Sequence, residues 1–434
     1  MVNEQLMISR ENVHEFFKKW IPAMESAQNS GETDEVPANP GDERAAAEVV
    51  RSLLPEGDTH ITVMEQNFSP GGDRPNILVT YTPDGVNYSL KPILFAGVHM
   101  DCVLVQDNKQ LEFRLGQDPK FGETIIGRGT LDNGVNVLAT AEMLKGLCKF
   151  PIEGLNRSVV VAYGADEEAS DTNFGFHGLV ERGDIDPSKY AAAVFADSML
   201  GAWSTKGIVL YKIGIKVDGP THSGMGLSAH TVGCDLVSGI NRALRTNFPE
   251  RGPYRLGTIL QANLVSKADE GKTTVPLVAS YEGCMRSNPQ YPLETVFKEI
   301  ESVVNRFRAD LSSNSQYQNF ANDIEITFEP NVIEDGYLMD REFEQVAREI
   351  IGGAYAATGI EGIPRVVATG GGLPGIRAFS ELGLLTLATG VGHPDLEDYH
   401  GPEECVATNI TKKGGIYMRK VAEGMHQALL DQGK

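Results

Sequence analysis

The chain has 434 residues, and nowhere in it do about 18 apolar residues follow one another, the length a membrane-spanning helix needs. Its opening segment, MVNEQLMISRENVHEFFKKW, also lacks the apolar centre of a secretory signal. Cysteine is scarce. Cys102, Cys148, Cys234, Cys284 and Cys405 are widely spaced and form no C-x-x-C pair, which argues against zinc ribbons and thioredoxin-type redox sites. The expectation is a cytoplasmic protein whose thiols stay reduced. Positive charge is short as well: 38 Lys and Arg face 59 Asp and Glu, a net charge of −21. Phosphate binders need clustered Lys and Arg to release counterions, so neither nucleic acid nor an anionic membrane surface is expected as a partner. Apolar residues, at 41%, are as abundant as in ordinary globular proteins, and the length suggests two or three domains.

Strand-like and helix-like runs alternate along the chain. An N-terminal helical stretch and an acidic loop around Gly31 to Asp42 precede a helix at Arg44 to Leu54; Ile61 to Phe68, Asn76 to Tyr81 and Ile93 to Val98 then read as strands. Val135, Leu138, Ala141 and Leu144 recur on one helical face, and Val159 to Tyr163 and Ala191 to Phe195 are short apolar strands. This pattern predicts an α/β fold: a mostly parallel sheet with helices on both faces. From Ile208 the order changes to β-α-β-β-α-β, the ferredoxin-like split unit, and after Pro330 the α/β alternation resumes. The expected organisation is a catalytic domain from residues 1–207 and 331–434, with residues 208–330 inserted as an α+β lid and dimerisation domain.

In open α/β sheets, ligands gather at the carboxyl ends of the strands. Four predicted strand ends here carry metal-type side chains: His99-Met100-Asp101, Asp166-Glu167-Glu168, Asp197, and the loop ending at His400. Asp132 stands among them in Gly127-Arg128-Gly129-Thr130-Leu131-Asp132, a loop just before a helix. Imidazole and carboxylate suit Zn²⁺, and two such ions side by side need a shared carboxylate, for which Asp132 is the candidate. A water between them would have a lowered pKa, and a carboxylate that is not a ligand, Glu167, would take its proton. Glu168 would be a ligand, and Asp101 would accept the second N–H of His99 and fix its tautomer. His393 shares a loop with His400 and competes for the same role. Two other motifs fail. The glycine loop lacks the third glycine of a dinucleotide fingerprint, and the residues around Ser223 do not form a nucleophile elbow.

The strings LFAGVHMD, IGRGTLDNG, GADEEAS, VFADS, DGPTHSG, YEGCMRS, ATGGGLPGIR and DYHGPEE, in this order, resemble the co-catalytic zinc family of acetylornithine deacetylases, succinyl-diaminopimelate desuccinylases, aminoacylases and glutamate carboxypeptidases. Acetylornithine deacetylase is the nearest likeness, and the resemblance runs from about residue 75 to the end. It implies two Zn²⁺ per subunit, with Co²⁺ or Mn²⁺ as substitutes: His99 and Asp197 hold one, Glu168 and His400 the other, Asp132 bridges, and Glu167 is the general base. It also implies that His222 stabilises the oxyanion, often from the partner subunit of a homodimer; His230 lies eight residues further on. Arg286 would bind a substrate carboxylate, and Gly371 and Gly372 would let backbone approach the substrate. The implied activity is hydrolysis of the acyl amide of a small N-acyl amino acid, most like N-acetylornithine, or of a short peptide. The rivals are a dipeptidase, carboxypeptidase or desuccinylase of the same chemistry, and a catalytically silent relative. Two departures stand out: Asp132-Asn133-Gly134 replaces the usual D-M-K-G, and Thr273-Thr274-Val275-Pro276 replaces the usual N-x-I-P of the lid.

Overall fold

The computed structural model describes residues 5–29, 41–168, 175–197, 204–219, 226–249, 257–265, 275–334, 336–338, 341–359, 376–392, 396 and 400–433. The chain divides into two compact units: Met1–Trp203 with Met339–Val366 and Leu373–Lys434, and Ser204–Leu338 with Val367–Gly372. Unit 1 begins with α1 (Arg10–Ala23), α2 (Arg44–Leu53), β1 (Ile61–Asn67), β2 (Pro75–Tyr81), β3 (Ile93–His99), β4 (Arg114–Asp118) and β5 (Gly122–Ile126). It continues through α3 (Val135–Lys149), β6 (Val159–Gly164), α4 (Phe176–Glu181) and β7 (Ala192–Phe195). Unit 2 holds β8 (Gly207–Val217), α5 (Ala229–Asn247), β9 (Ile259–Val265), β10 (Val278–Ser287), α6 (Leu293–Asp310) and β11 (Ile324–Glu334). Unit 1 then resumes with α7 (Arg341–Thr358), α8 (Ile376–Ser380), β12 (Leu385–Ala388), β13 (Cys405–Ala407) and α9 (Gly414–Asp431).

The central sheet of unit 1 has the order β12-β7-β3-β6-β2-β1. β12, β7, β3 and β6 pair in parallel, whereas β2 and β1 close one edge antiparallel. Helices cover both faces, so the inner strands are apolar throughout, and all of β6 is buried. On one face Leu94, Ala96, Val160, Ala162 and Phe195 pack under Phe176, Leu179 and Phe379 of the short helices α4 and α8. The other face carries α2, α3 and α9. A second, antiparallel sheet, β13-β5-β4, flanks this core. The sequence pattern did not show it, because β4 reads Arg-Leu-Gly-Gln-Asp and is only partly buried.

Unit 2 is an antiparallel sheet in the order β9-β10-β8-β11, in which the first and last strands of the β-α-β-β-α-β order are neighbours. Strict alternation along β8 sends Val209, Tyr211, Ile213, Ile215 and Val217 into a core shared with Leu236, Ile240, Val296 and Ile300 of α5 and α6. The unit extends past the expected limits of residues 208 and 330 because β11 keeps pairing with β8 as far as Glu334 and Ser204–Thr205 pairs with Tyr337–Leu338. The strand expected at Val366 to Ala368 lies outside the described residues. Among the described residues no helix is long and apolar enough to cross a membrane.

Candidate metal centre

Sheet direction decides where the functional side chains meet. β3, β6 and β7 are parallel, so their carboxyl ends deliver His99, the Asp166-Glu167-Glu168 turn and Asp197 to one side of unit 1. Near the end of β3, Gly97 takes a left-handed φ of 69° and inserts one extra residue between Phe95 and Val98 relative to Val161 and Tyr163 of β6. Such a bulge re-aims the strand end that carries His99. A side chain at Gly97 would put its Cβ 3.2 Å from the Cβ of Asp197.

The loop before α3 brings Asp132 into the same space. Its floor is α1, which starts with the Ser9 side chain accepting from the Asn12 N–H and buries Val13, Phe16, Phe17, Trp20 and Ile21. Trp20 Nε1 donates to the Gly129 carbonyl at 2.8 Å, and a Cβ at Gly134 would lie 2.5 Å from that nitrogen, so the loop is seated directly on the indole.

Two donor sets result, with Asp132 common to both. His99, Asp132 and Asp197 form one and Asp132, Glu168 and His400 the other, each with donor atoms within 4.8 Å of one another; His99, Glu167 and Glu168 satisfy the same distance. His99 Nε2 lies 2.8 Å from Asp132 Oδ1, and His400 Nε2 lies 3.1 Å from Asp132 Oδ2 and 3.1 Å from Glu168 Oε1. His99 Nδ1 meets Asp101 Oδ1 at 3.1 Å, as expected of a tautomer-fixing partner, and Asp101 Oδ2 also accepts from the Glu168 N–H at 2.8 Å. His222, Gly371, Gly372 and the competing His393 lie outside the described residues. Arg286 belongs to unit 2. It is half-buried on β10, and among the described residues its Nη1 finds no acceptor.

Carboxylates outnumber imidazoles in this cluster and shift one another. Burial and the neighbouring Asp197 push the Glu167 carboxyl well above its ordinary range, burial and Asp132 raise Glu168, and burial raises Asp197 to about 7. For Asp132, burial acts upward, but contacts to His400 and His99 prevail and hold it low. Burial alone would lower His99, yet hydrogen bonds to Asp101, Asp132 and Asp197 raise it well above its usual value. Hydrogen bonds to Asp132 and Glu168 raise His400 to about 10. Imidazole and carboxylate donors crowded in this way fit divalent metal ions such as Zn²⁺.

A pH dependence follows. Metal binding requires neutral imidazoles, and without metal His400 stays protonated up to a pH of about 10. Binding near neutral pH is therefore expected to release protons, and affinity to rise as the pH increases. Calorimetric titration in buffers of different ionisation enthalpy measures the release, and heats that do not depend on the buffer would contradict it.

Three supporting interactions were not evident from the sequence. Asn133, noted only as a departure from the usual pattern, donates from Nδ2 to Asp197 Oδ1 and to the Gly97 carbonyl, both at 2.8 Å. Buried Arg74 pairs with Asp166, whose left-handed φ of 56° turns the chain into Glu167. Glu404 pairs with Arg128 at 2.8 Å, each side chain being 1% exposed, and losing one partner of such a buried pair costs about 3–5 kcal/mol.

Residues 95–424 match the description of peptidase family M20/M25/M40, and the chain belongs to that family. It is a metal-dependent hydrolase of amide bonds, and its substrates are peptides or other small molecules. Among solved structures it is similar to the dipeptidase Dug1p of Saccharomyces cerevisiae (14% identity, TM-score 0.66, covering 98% of this chain and 97% of that one). It is also similar to human carnosine dipeptidase 1 (14% identity, TM-score 0.64, covering 98% and 99%). A third is the M20 family metallo-carboxypeptidase Sso-CP2 of Sulfolobus solfataricus (15% identity, TM-score 0.63, covering 96% and 99%). At these identities the likeness is one of fold. No curated protein sequence matches the chain.

Proposed function

We propose that the chain is a dizinc amidohydrolase that cleaves the acyl amide of an N-acyl amino acid, with N-acetylornithine the first substrate to test. The observation that carries this reading is the pair of donor sets sharing Asp132, with the further carboxylate of Glu167 packed among them. His99, Asp132 and Asp197 would hold one ion and Asp132, Glu168 and His400 the other. Bound metal would supply Lewis-acid polarisation of the scissile carbonyl and lower the pKa of the attacking water. Glu167, a carboxylate outside the two donor sets that share Asp132, would take the proton of the attacking water and pass it to the leaving amine. Asp101 keeps the Nε2 of His99 turned toward the centre. Arg286 is assigned to a substrate carboxylate: its Nη1 has no acceptor among the described residues, and a guanidinium donor needs one.

Assaying N-acetylornithine, succinyl-diaminopimelate and a panel of dipeptides with added Zn²⁺ or Co²⁺ tests the substrate class. The acetylated amino acid is expected to turn over at least about tenfold faster in kcat/KM than the peptides, a difference of about 1.4 kcal/mol in transition-state binding. Cleavage of dipeptides alone would assign the chain to the dipeptidases.

A further inference from the structure

We propose that Glu404 and Arg128 are positioning residues that set the geometry of one of the two metal positions, that of Asp132, Glu168 and His400, and leave the other largely untouched. The proposal rests on the two-metal reading above. Glu404 Oε1 accepts from the backbone N–H of Leu131 at 2.9 Å and of Asp132 at 3.2 Å, while Oε2 accepts from Arg128 Nη1 at 2.8 Å. Arg128 Nη2 reaches on to the carbonyl of His400 at 3.1 Å. One buried pair therefore grips the backbone of two proposed ligands that lie on separate loops. The grip on His400 matters because that residue has a left-handed φ of 60°, which a non-glycine residue holds only where its surroundings fix it. Gln110 secures the same loop from the next residue, donating from Nε2 to the Gly401 carbonyl at 3.0 Å.

The remaining ligands are held by other groups. Asp101 holds His99 through Nδ1 and Glu168 through its N–H, and Asn133 holds Asp197. The pair thus reaches two of the three donors of the His400 set and, in the His99 set, only the shared Asp132. Its loss should act unequally on the two positions.

The test is calorimetric titration of the metal-free full-length protein with Zn²⁺, together with Co²⁺ titration followed by visible absorption and thermal unfolding as a check on folding. The parent should take two equivalents. Glu404→Gln should bind one equivalent as the parent does and the other about 10–100-fold more weakly, with only the second Co²⁺ spectrum altered. Arg128→Lys, which keeps the charge opposite Glu404 but cannot also span to the His400 carbonyl, should show the same asymmetry. Two equivalents of parental affinity in both variants, or equal weakening of both, would overturn the positioning role. So would failure of both variants to fold, which would make the pair a requirement of the fold alone. A parent that binds fewer than two equivalents would sink the two-metal reading itself, an outcome visible before any variant is made.

Discussion

Replacing Glu167 with Gln is expected to lower kcat by about 10²–10⁴, the usual contribution of a general base, while metal content and KM stay close to those of the parent. The amide matches the carboxylate in size, so the half-buried turn keeps its packing and only the proton-transfer capacity is lost. The sign of the electrostatics supports the choice of residue. Burial, Asp197 and Glu168 all oppose ionisation of Glu167, and His99 only partly offsets them. Cations placed among those acids would reverse that field and bring the group into the range where it can accept a proton and return it. Metal analysis beside steady-state kinetics separates the role of base from that of ligand. A variant that lost a metal equivalent would make Glu167 a ligand, as its distance to His99 and Glu168 permits, and one as active as the parent would falsify the assignment.

Asp132→Ala is expected to be more damaging still, reducing bound metal to one equivalent or fewer, with affinity lowered by at least about 10²-fold and activity lost in step. Asp132 is the residue common to both donor sets, with Oδ1 turned to His99 and Oδ2 to His400. Without it each set keeps only two of its donors, and no shared anion remains to offset the repulsion between two dications. In the metal-free protein the same substitution removes the acceptor for two raised imidazoles, so His400 in particular should titrate lower than about 10. Histidine NMR titration of the metal-free variant measures this, and an unchanged His400 titration would contradict the contact. Atomic absorption after extensive dialysis measures the stoichiometry, and retention of two equivalents would refute the shared role.

The parts legible in the sequence share a physical character. β3, β6 and β7 are continuous apolar runs ending in chemistry-bearing residues, and local pattern suffices to find such strands and to place His99, Glu167, Glu168 and Asp197 at their ends. The β-α-β-β-α-β order of unit 2 was equally readable, because β8 alternates strictly and α6 carries a clear stripe. What escaped depends on partners distant in the chain. β2 is as apolar as a parallel core strand, yet it runs antiparallel to β6, and direction leaves no mark on a short buried run. β13 pairs with β5 although Cys405 lies 279 positions after its partner Ile126. Glu404, in a Pro-Glu-Glu string, resembles a solvated acid until Arg128 is placed against it, 276 positions away.

Gly97 carries a consequence for how such a chain can diverge. Its left-handed backbone disfavours most side chains on conformational grounds, and the Cβ of Asp197, 3.2 Å from where its own would stand, would have to give way by a few tenths of an ångström. Both restrictions come from the path of the main chain and from the proximity of two strand ends, and neither depends on which ion is bound or which amide is cut. A lineage could exchange its metal, its substrate or the whole of unit 2 and still meet backbone strain and a crowded neighbour on placing a methyl group at this position. Residue 97 records the architecture of the centre, and the residues around it record the chemistry.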